Sequence, residues 1–97
     1  MTAELIVHSG PEGDSVRYRF LDGSEFSHEN GYLPDMLITA FGNLVKFRGK
    51  VGKSLDVVAS GFLNETDESV LGLFTGLYSK ACNVRINYKR ISANGTP

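Results

Sequence analysis

The chain has 97 residues, a net charge of −1 and 41% hydrophobic residues, a composition typical of one small globular domain. Its single cysteine excludes an intrachain disulfide, and no apolar run approaches the roughly 18 residues needed to cross a bilayer. We therefore expect a soluble cytoplasmic protein with one globular domain over residues 1–91 and a flexible tail over residues 92–97.

Three short strands are predicted at the start of the chain. Residues 2–8 alternate between apolar and polar side chains, and residues 15–21 alternate more cleanly, with Arg17 and Arg19 on the polar side. Turn-forming residues separate these two strands, and an Asp-Gly pair then leads into a short return strand at residues 24–27.

Residues 33–43 are compatible with either a short helix or a strand. Pro34 suits the first helical position, and Gly42 suits the residue after the helix end. Ile38 and Thr39 would also fit a strand. We predict a short helix and keep the strand as the alternative.

The stretch "VKFRGKVGK", residues 45–53, contains four basic side chains in nine positions. Apolar and basic residues alternate in it, which predicts a strand over residues 43–52 with Lys46, Arg48 and Lys50 on one face. Gly49 allows a bulge there.

The C-terminal half is predicted to continue as strand, helix and strand. Residues 53–61 and 81–91 alternate, whereas residues 67–79 carry one apolar stripe at helical spacing, after an N-cap at Thr66. Gly72 and Gly76 lower the helix propensity of this segment, and we expect them to allow close approach to the sheet.

The predicted order is therefore β-β-β-(α)-β-β-α-β. It indicates an α+β fold with a single, mostly antiparallel sheet of about five or six strands. One or two helices are expected on one face of the sheet, and the last strand–helix–strand unit is expected to join parallel neighbours.

If both helices cover one face, the other face is open to water and is predicted to be strongly basic. Seven of the ten Lys and Arg residues would lie on it, with only Glu4, Glu25 and Asp56 opposing them. The predicted binding residues are Arg17, Arg19, Lys46, Arg48, Lys50, Arg85 and Lys89. Such cations either solubilise the sheet or attract an anionic partner.

The leading functional hypothesis is a non-enzymatic protein-binding module, an adaptor or inhibitor, that docks an acidic protein surface through this face or by strand addition at an edge. Edge pairing would also allow a homodimer. In general character the chain resembles short accessory proteins of phages and mobile elements. One alternative is a salt-sensitive nucleic-acid binder using the same cations, although the strand aromatics point inward, where bases cannot stack on them. Another is a small-molecule or catalytic site at an oligomer interface.

No cofactor, metal or membrane partner is predicted. His8 and His28 lack metal-ligand spacing, and Cys82 is expected to be a buried thiol on the apolar side of the last strand. "SGPEGDS", residues 9–15, lacks the spacing of a phosphate-binding loop and precedes a strand. With no acid–base or nucleophile pair evident, we expect the protein not to be an enzyme.

Overall fold

The computed structural model describes residues 2–92 and forms one five-stranded sheet with two helices. The strands are β1 (Ala3–Gly10), β2 (Gly13–Arg19), β3 (Glu25–Glu29), β4 (Ser54–Gly61) and β5 (Arg85–Ser92), and the helices are α1 (Leu33–Lys46) and α2 (Glu65–Cys82). A short 3₁₀ turn, Arg48–Lys50, follows α1. The predicted tail lies outside the described residues, except for Ser92, which ends β5.

The sheet has the order β3-β2-β1-β4-β5 and is of mixed orientation. β2 pairs antiparallel with β1 and β3, whereas β4 pairs parallel with β1 and β5. The α+β class, the single sheet and the parallel β4–α2–β5 unit are confirmed. The prediction of a mostly antiparallel sheet is wrong, because α1 returns the chain to the starting end of the sheet before β4 begins.

The strand predicted over residues 43–52 is absent, because α1 continues to Lys46 and the 3₁₀ turn Arg48–Lys50 follows it. Met36, Leu37, Ala40, Phe41 and Leu44 are all buried, so the apolar helical spacing extends beyond Gly42. Gly42 lies inside the helix and is exposed. Alternation over a few residues cannot distinguish a strand from a helix end followed by a 3₁₀ turn, and the longer helical period prevails here.

Both helices pack on the same face of the sheet. The core consists of alternate strand residues, such as Leu5 and Val57, together with the inner sides of α1 and α2. Polar contacts tie the layers together: Asn43 on α1 donates to the Tyr18 hydroxyl of β2 at 2.7 Å, and Arg90 of β5 donates to Glu68 of α2 at 2.7 Å. Among residues 2–92, no helix covers the opposite face, which we call the open sheet face.

β1 and β4 approach most closely at their carboxyl ends. The Phe62 amide donates to the Ser9 carbonyl at 2.8 Å, and Gly61 sits between them with φ of +87°. A Cβ at Gly61 would lie 1.9 Å from the Ser9 carbonyl oxygen, so only glycine fits this position.

α2 begins two residues earlier and ends three residues later than predicted. Asn64, rather than Thr66, caps it by accepting from the Asp67 amide at 2.7 Å. Asn83 ends it with a left-handed backbone, φ 54°. Cys82 therefore belongs to α2 and not to the last strand, and it is half-buried against the core. The structure contains no helix long and apolar enough to cross a membrane within residues 2–92.

Candidate interaction surfaces

The predicted basic face is only partly present. Arg17, Arg19, Arg85 and Lys89 do lie on the open sheet face, on β2 and β5. Four carboxylates share that face: Glu4, Glu25, Glu29 and Asp56. Arg19 pairs with Glu4 at 3.3 Å. The open sheet face is therefore close to neutral, and its predicted excess of positive charge is wrong.

The other three predicted binding residues lie elsewhere. Lys46 is in the last turn of α1, and Arg48 and Lys50 are in the 3₁₀ turn that follows. Cations are favoured there because the helix C-terminus carries partial negative charge. The Nζ atoms of Lys46 and Lys50 each lie 5.4 Å from the centroid of the Phe47 ring. Lys50 also pairs with Asp22 at 3.3 Å.

Lys46 and Lys50 thus lie at the rim of an apolar hollow that we call the aromatic pocket. Its lining residues are Tyr18, Phe20, Phe26, Asn43 and Phe47, and its volume is about 170 Å³. Phe26 and Phe47 are 48% and 37% exposed, whereas Tyr18 and Phe20 are buried. The Phe20 ring lies 5.9 Å from Phe47 and 6.0 Å from Phe26, in both cases edge to face.

A chain of hydrogen bonds fixes the floor of the aromatic pocket. Asn43 donates to the Tyr18 hydroxyl, and that hydroxyl lies 3.0 Å from Nε2 of His28. The three groups satisfy one another, so the floor of the pocket does not depend on an added ligand. His28 lies on β3 and is half-buried.

The second hollow lies at the loop between β1 and β2, and we call it the β1–β2 cleft. It has a volume of about 490 Å³ and is lined by His8, Glu12, Asp14, Glu29 and neighbouring loop residues. Ser9 donates to the Asp14 carboxylate at 2.6 Å. Partial burial, with a contribution from the Asp14 charge, raises the pKa of Asp67 at the start of α2. Carboxylates dominate the cleft, which disfavours a bare phosphate.

The histidines make polar contacts and do not form a metal centre. Nδ1 of His8 lies 2.8 Å from the Ser60 hydroxyl, across the parallel β1–β4 pair. Within residues 2–92, no group of three or more His, Cys, Asp or Glu side chains is arranged to hold a metal ion.

The outer sides of α1 and α2 form an apolar surface that we call the helical face. It is defined by Ile38, Gly42, Val45, Leu73, Gly76 and Leu77. Ile38, Leu73 and Leu77 are 55%, 60% and 56% exposed. A shallow groove of about 250 Å³ runs between the two helices, floored by Phe41, Phe74 and Tyr78. Exposed apolar side chains grouped in this way are typical of an interaction site.

Sequence reasoning missed the helical face, although the sequence contains a signal for it. No charged residue occurs between Asp35 and Lys46 or between Glu68 and Lys80. A helix that exposes one side to water normally carries charged residues on that side. An uncharged run of about three turns in the middle of a half-exposed helix therefore indicates a contact surface.

Comparison with known proteins supports the fold and goes no further. No protein-family model matches the chain, and no curated protein matches its sequence. Among solved structures, the chain is similar to YeaZ from Pseudomonas aeruginosa, with a TM-score of 0.57 and 18% sequence identity. The match covers 93% of this chain and 43% of that chain, so this protein spans less than half the length of YeaZ. At this identity the likeness shows a common fold alone.

Proposed function

We propose that the chain is a small protein-binding module that acts as a homodimer, with the helical face as the contact between the two copies. The observation that carries the proposal is the uncharged character of this exposed face over residues 36–45 and 69–79. Interface centres are depleted of charge and enriched in large apolar side chains, as here. The function stays within the protein-binding class predicted from the sequence, but on a different surface.

The glycines of both helices support this choice. A Cβ added at Gly42, Gly72 or Gly76 would meet no atom within 4 Å. Each glycine inside a helix costs roughly 1 kcal/mol of helix stability relative to alanine, and no contact within the chain requires it. The expectation that Gly72 and Gly76 allow close approach to the sheet is thus wrong, because open space surrounds both. Gly42 and Gly76, which belong to the helical face, leave room there for the helices of another molecule, whereas Gly72 lies beside Thr75 and Tyr88.

The charges at the helix ends favour a second copy of this chain as the molecule that binds the helical face. α1 and α2 run roughly parallel, because each follows a strand of the same direction and returns along the sheet. Their first turns contain Asp35 and Glu65, and their last turns contain Lys46 and Lys80. A two-fold axis through the helical face would bring the acidic ends of one copy to the basic ends of the other.

The size of the face sets the expected affinity. Helices of 14 and 18 residues are roughly 21 and 27 Å long at 1.5 Å per residue. Two such helices side by side offer on the order of 500–700 Å² per partner, which is near the lower limit for a stable interface. We therefore expect dissociation constants in the micromolar range, on the order of 1–100 μM.

Sedimentation of the full chain over this concentration range tests the proposal. The wild type should pass from monomer to dimer, whereas Leu77→Asp and the double variant Ile38→Asp/Leu77→Asp should remain monomeric. Both side chains are more than half exposed, so the variants should keep the circular dichroism spectrum of the wild type. A wild type that stays monomeric at the highest concentration would contradict the proposal.

Phe62→Asp is the matched control. Phe62 is 66% exposed, follows β4 and lies on neither helix. The Phe62→Asp variant adds the same charge as Leu77→Asp at an apolar side chain of similar exposure. We expect this variant to dimerise as the wild type does. Loss of the dimer in Phe62→Asp as well would show that added charge, and not the helical face, is responsible.

A further inference from the structure

The free edge of β3 lies beside the aromatic pocket. β3 is the outermost strand on its side of the sheet, and Phe26 of β3 forms one wall of the pocket. The 3₁₀ turn carrying Arg48 and Lys50 is held at the same corner, because the Leu21 amide donates to the Lys50 carbonyl at 2.9 Å. Within residues 2–92, a strand edge that pairs with no other strand, an apolar hollow and the two cations Lys46 and Lys50 therefore meet at one place.

The hydrogen-bond register shows which backbone groups of β3 face outward. The Phe20 amide donates to the Ser24 carbonyl, and the Asn30 amide donates to the Asp14 carbonyl. Bonded and non-bonded pairs alternate along an antiparallel ladder, so Phe26 and His28 are the residues that exchange bonds with β2. The N–H and C=O groups of Glu25, Ser27 and Glu29 are consequently directed away from the sheet, where an added strand would meet them.

We infer that this corner binds an extended peptide segment by strand addition to β3, with one large apolar side chain of the segment in the aromatic pocket. In an antiparallel addition, the peptide residue opposite Phe26 projects to the helix side of the sheet, toward Phe47 and Asn43. The pocket volume of about 170 Å³ is below the roughly 300–1,000 Å³ of small-molecule sites, so it suits a single side chain.

The surrounding charges specify the rest of the segment. Lys46 and Lys50 both lie against the Phe47 ring at the pocket mouth, and within residues 2–92 Lys46 forms no ion pair whereas Lys50 pairs with Asp22. A carboxylate of the segment two residues from the anchor, on the same side, would lie near this cluster. The neighbouring positions would project to the open sheet face, opposite Glu25 and Ser27, where a basic side chain next to Glu25 is favoured.

The test uses the synthetic peptide Lys-Thr-Thr-Phe-Lys-Asp, which reproduces this pattern antiparallel to β3 with its phenylalanine opposite Phe26. Amide chemical shifts of the full chain are followed during titration with millimolar peptide. We expect shifts confined to residues 20–29 and 43–50, and binding at least about tenfold weaker when the peptide phenylalanine is replaced by serine. Replacing the peptide aspartate by lysine should also weaken binding, and the effect should shrink at high salt.

Two protein variants separate the edge from the pocket. Ser27→Pro removes an outward amide without removing a bond to β2, and Phe47→Ala removes a pocket wall. Each should weaken peptide binding at least about tenfold, whereas Tyr32→Ala, at an aromatic residue that is 70% exposed and outside the pocket, should not change it. Because Phe47→Ala leaves the edge intact, it remains informative if Ser27→Pro lowers the stability of β3.

Two results would contradict peptide binding at the β3 edge. Absence of shifts at millimolar peptide, or equal binding by wild type, Ser27→Pro and Phe47→Ala, would exclude peptide capture at this corner. A loss of self-association in Ser27→Pro, without peptide binding by the wild type, would instead assign the β3 edge to pairing between copies. Phe26 and Ser27 lie on β3, outside the helical face, so the effect of Ser27→Pro on peptide binding does not depend on the proposed dimer.

Discussion

At the scale of single residues, Tyr78 does the most to join the two helices. Its hydroxyl donates to the Leu44 carbonyl of α1 at 3.1 Å, and its ring lies 5.8 Å from that of Phe41. Burial, together with the neighbouring Cys82 thiol, raises the pKa of Tyr78 to about 12. The sequence placed Tyr78 on the apolar stripe of α2, but the carbonyl that accepts from it lies 34 residues away and is identified only by the packing.

We predict that Tyr78 makes the fold sensitive to alkali. Below pH 10 both the folded and the unfolded chain keep the phenolic proton of Tyr78, so the contribution of Tyr78 to the free energy of unfolding is fully present. Between about pH 10 and 12 the unfolded chain loses the proton while the folded chain keeps it, so the free energy of unfolding should fall as pH rises. Denaturant unfolding at several pH values measures this slope.

Tyr78→Phe should flatten that slope and lower the free energy of unfolding at neutral pH by about 1 kcal/mol, because the Leu44 carbonyl loses a buried donor. Tyr32→Phe, at an exposed tyrosine, is the control and should change neither quantity. An unchanged alkaline slope in Tyr78→Phe would show that another group is responsible.

At the scale of elements, α1 and α2 each have an apolar inner side and an apolar outer side. Their inner sides pack on the sheet, and their outer sides expose apolar residues and glycines. Sequence periodicity identified the inner stripe of α2 because it repeats over three turns. It misjudged the extent of α1 because Gly42 resembles a helix end, while the packing of Leu44 against the core carries the helix past it.

Gly76→Ala should separate helix stability from association. Alanine raises helix propensity and meets no atom of the chain, so the free energy of unfolding at low protein concentration should rise by about 0.5–1 kcal/mol. Its methyl group would occupy the space left for the second copy, so the dimer should weaken. Denaturant unfolding and sedimentation of one preparation measure the two effects.

Ser69→Ala, at another exposed position of α2, is the comparison. It should stabilise the helix slightly and leave association unchanged, because it fills no glycine gap. A stronger dimer in Gly76→Ala would contradict the close helix approach that we propose.

At the scale of the whole molecule, the arrangement of charge decides between the functional hypotheses. Four cations and four carboxylates share the open sheet face, and the remaining predicted cations gather at the end of α1. At the aromatic pocket, Lys46 and Lys50 lie against Phe47, and within residues 2–92 only Lys50 has an acidic partner, Asp22. This separation favours protein contacts over attraction of a polyanion across a broad surface.

The nucleic-acid alternative yields a prediction of its own. Phosphate binding depends on net positive charge over a surface, and the balanced open sheet face should hold single-stranded DNA or RNA weakly even at low salt. Arg17→Glu/Arg85→Glu should thus leave affinity nearly unchanged in a fluorescence anisotropy titration. Tight low-salt binding abolished by this variant would restore the sheet face as a nucleic-acid surface.

The sequence by itself determined all five strands, the inner stripe of α2 and the general class of fold. These features depend on local periodicity, which neighbouring residues impose regardless of the rest of the chain. The mixed orientation of the sheet, the neutral open face and the convergence of Phe20, Phe26 and Phe47 were decided only by the tertiary structure. They depend on where α1 ends and on which strands become neighbours, and the free energy of packing the whole core sets both.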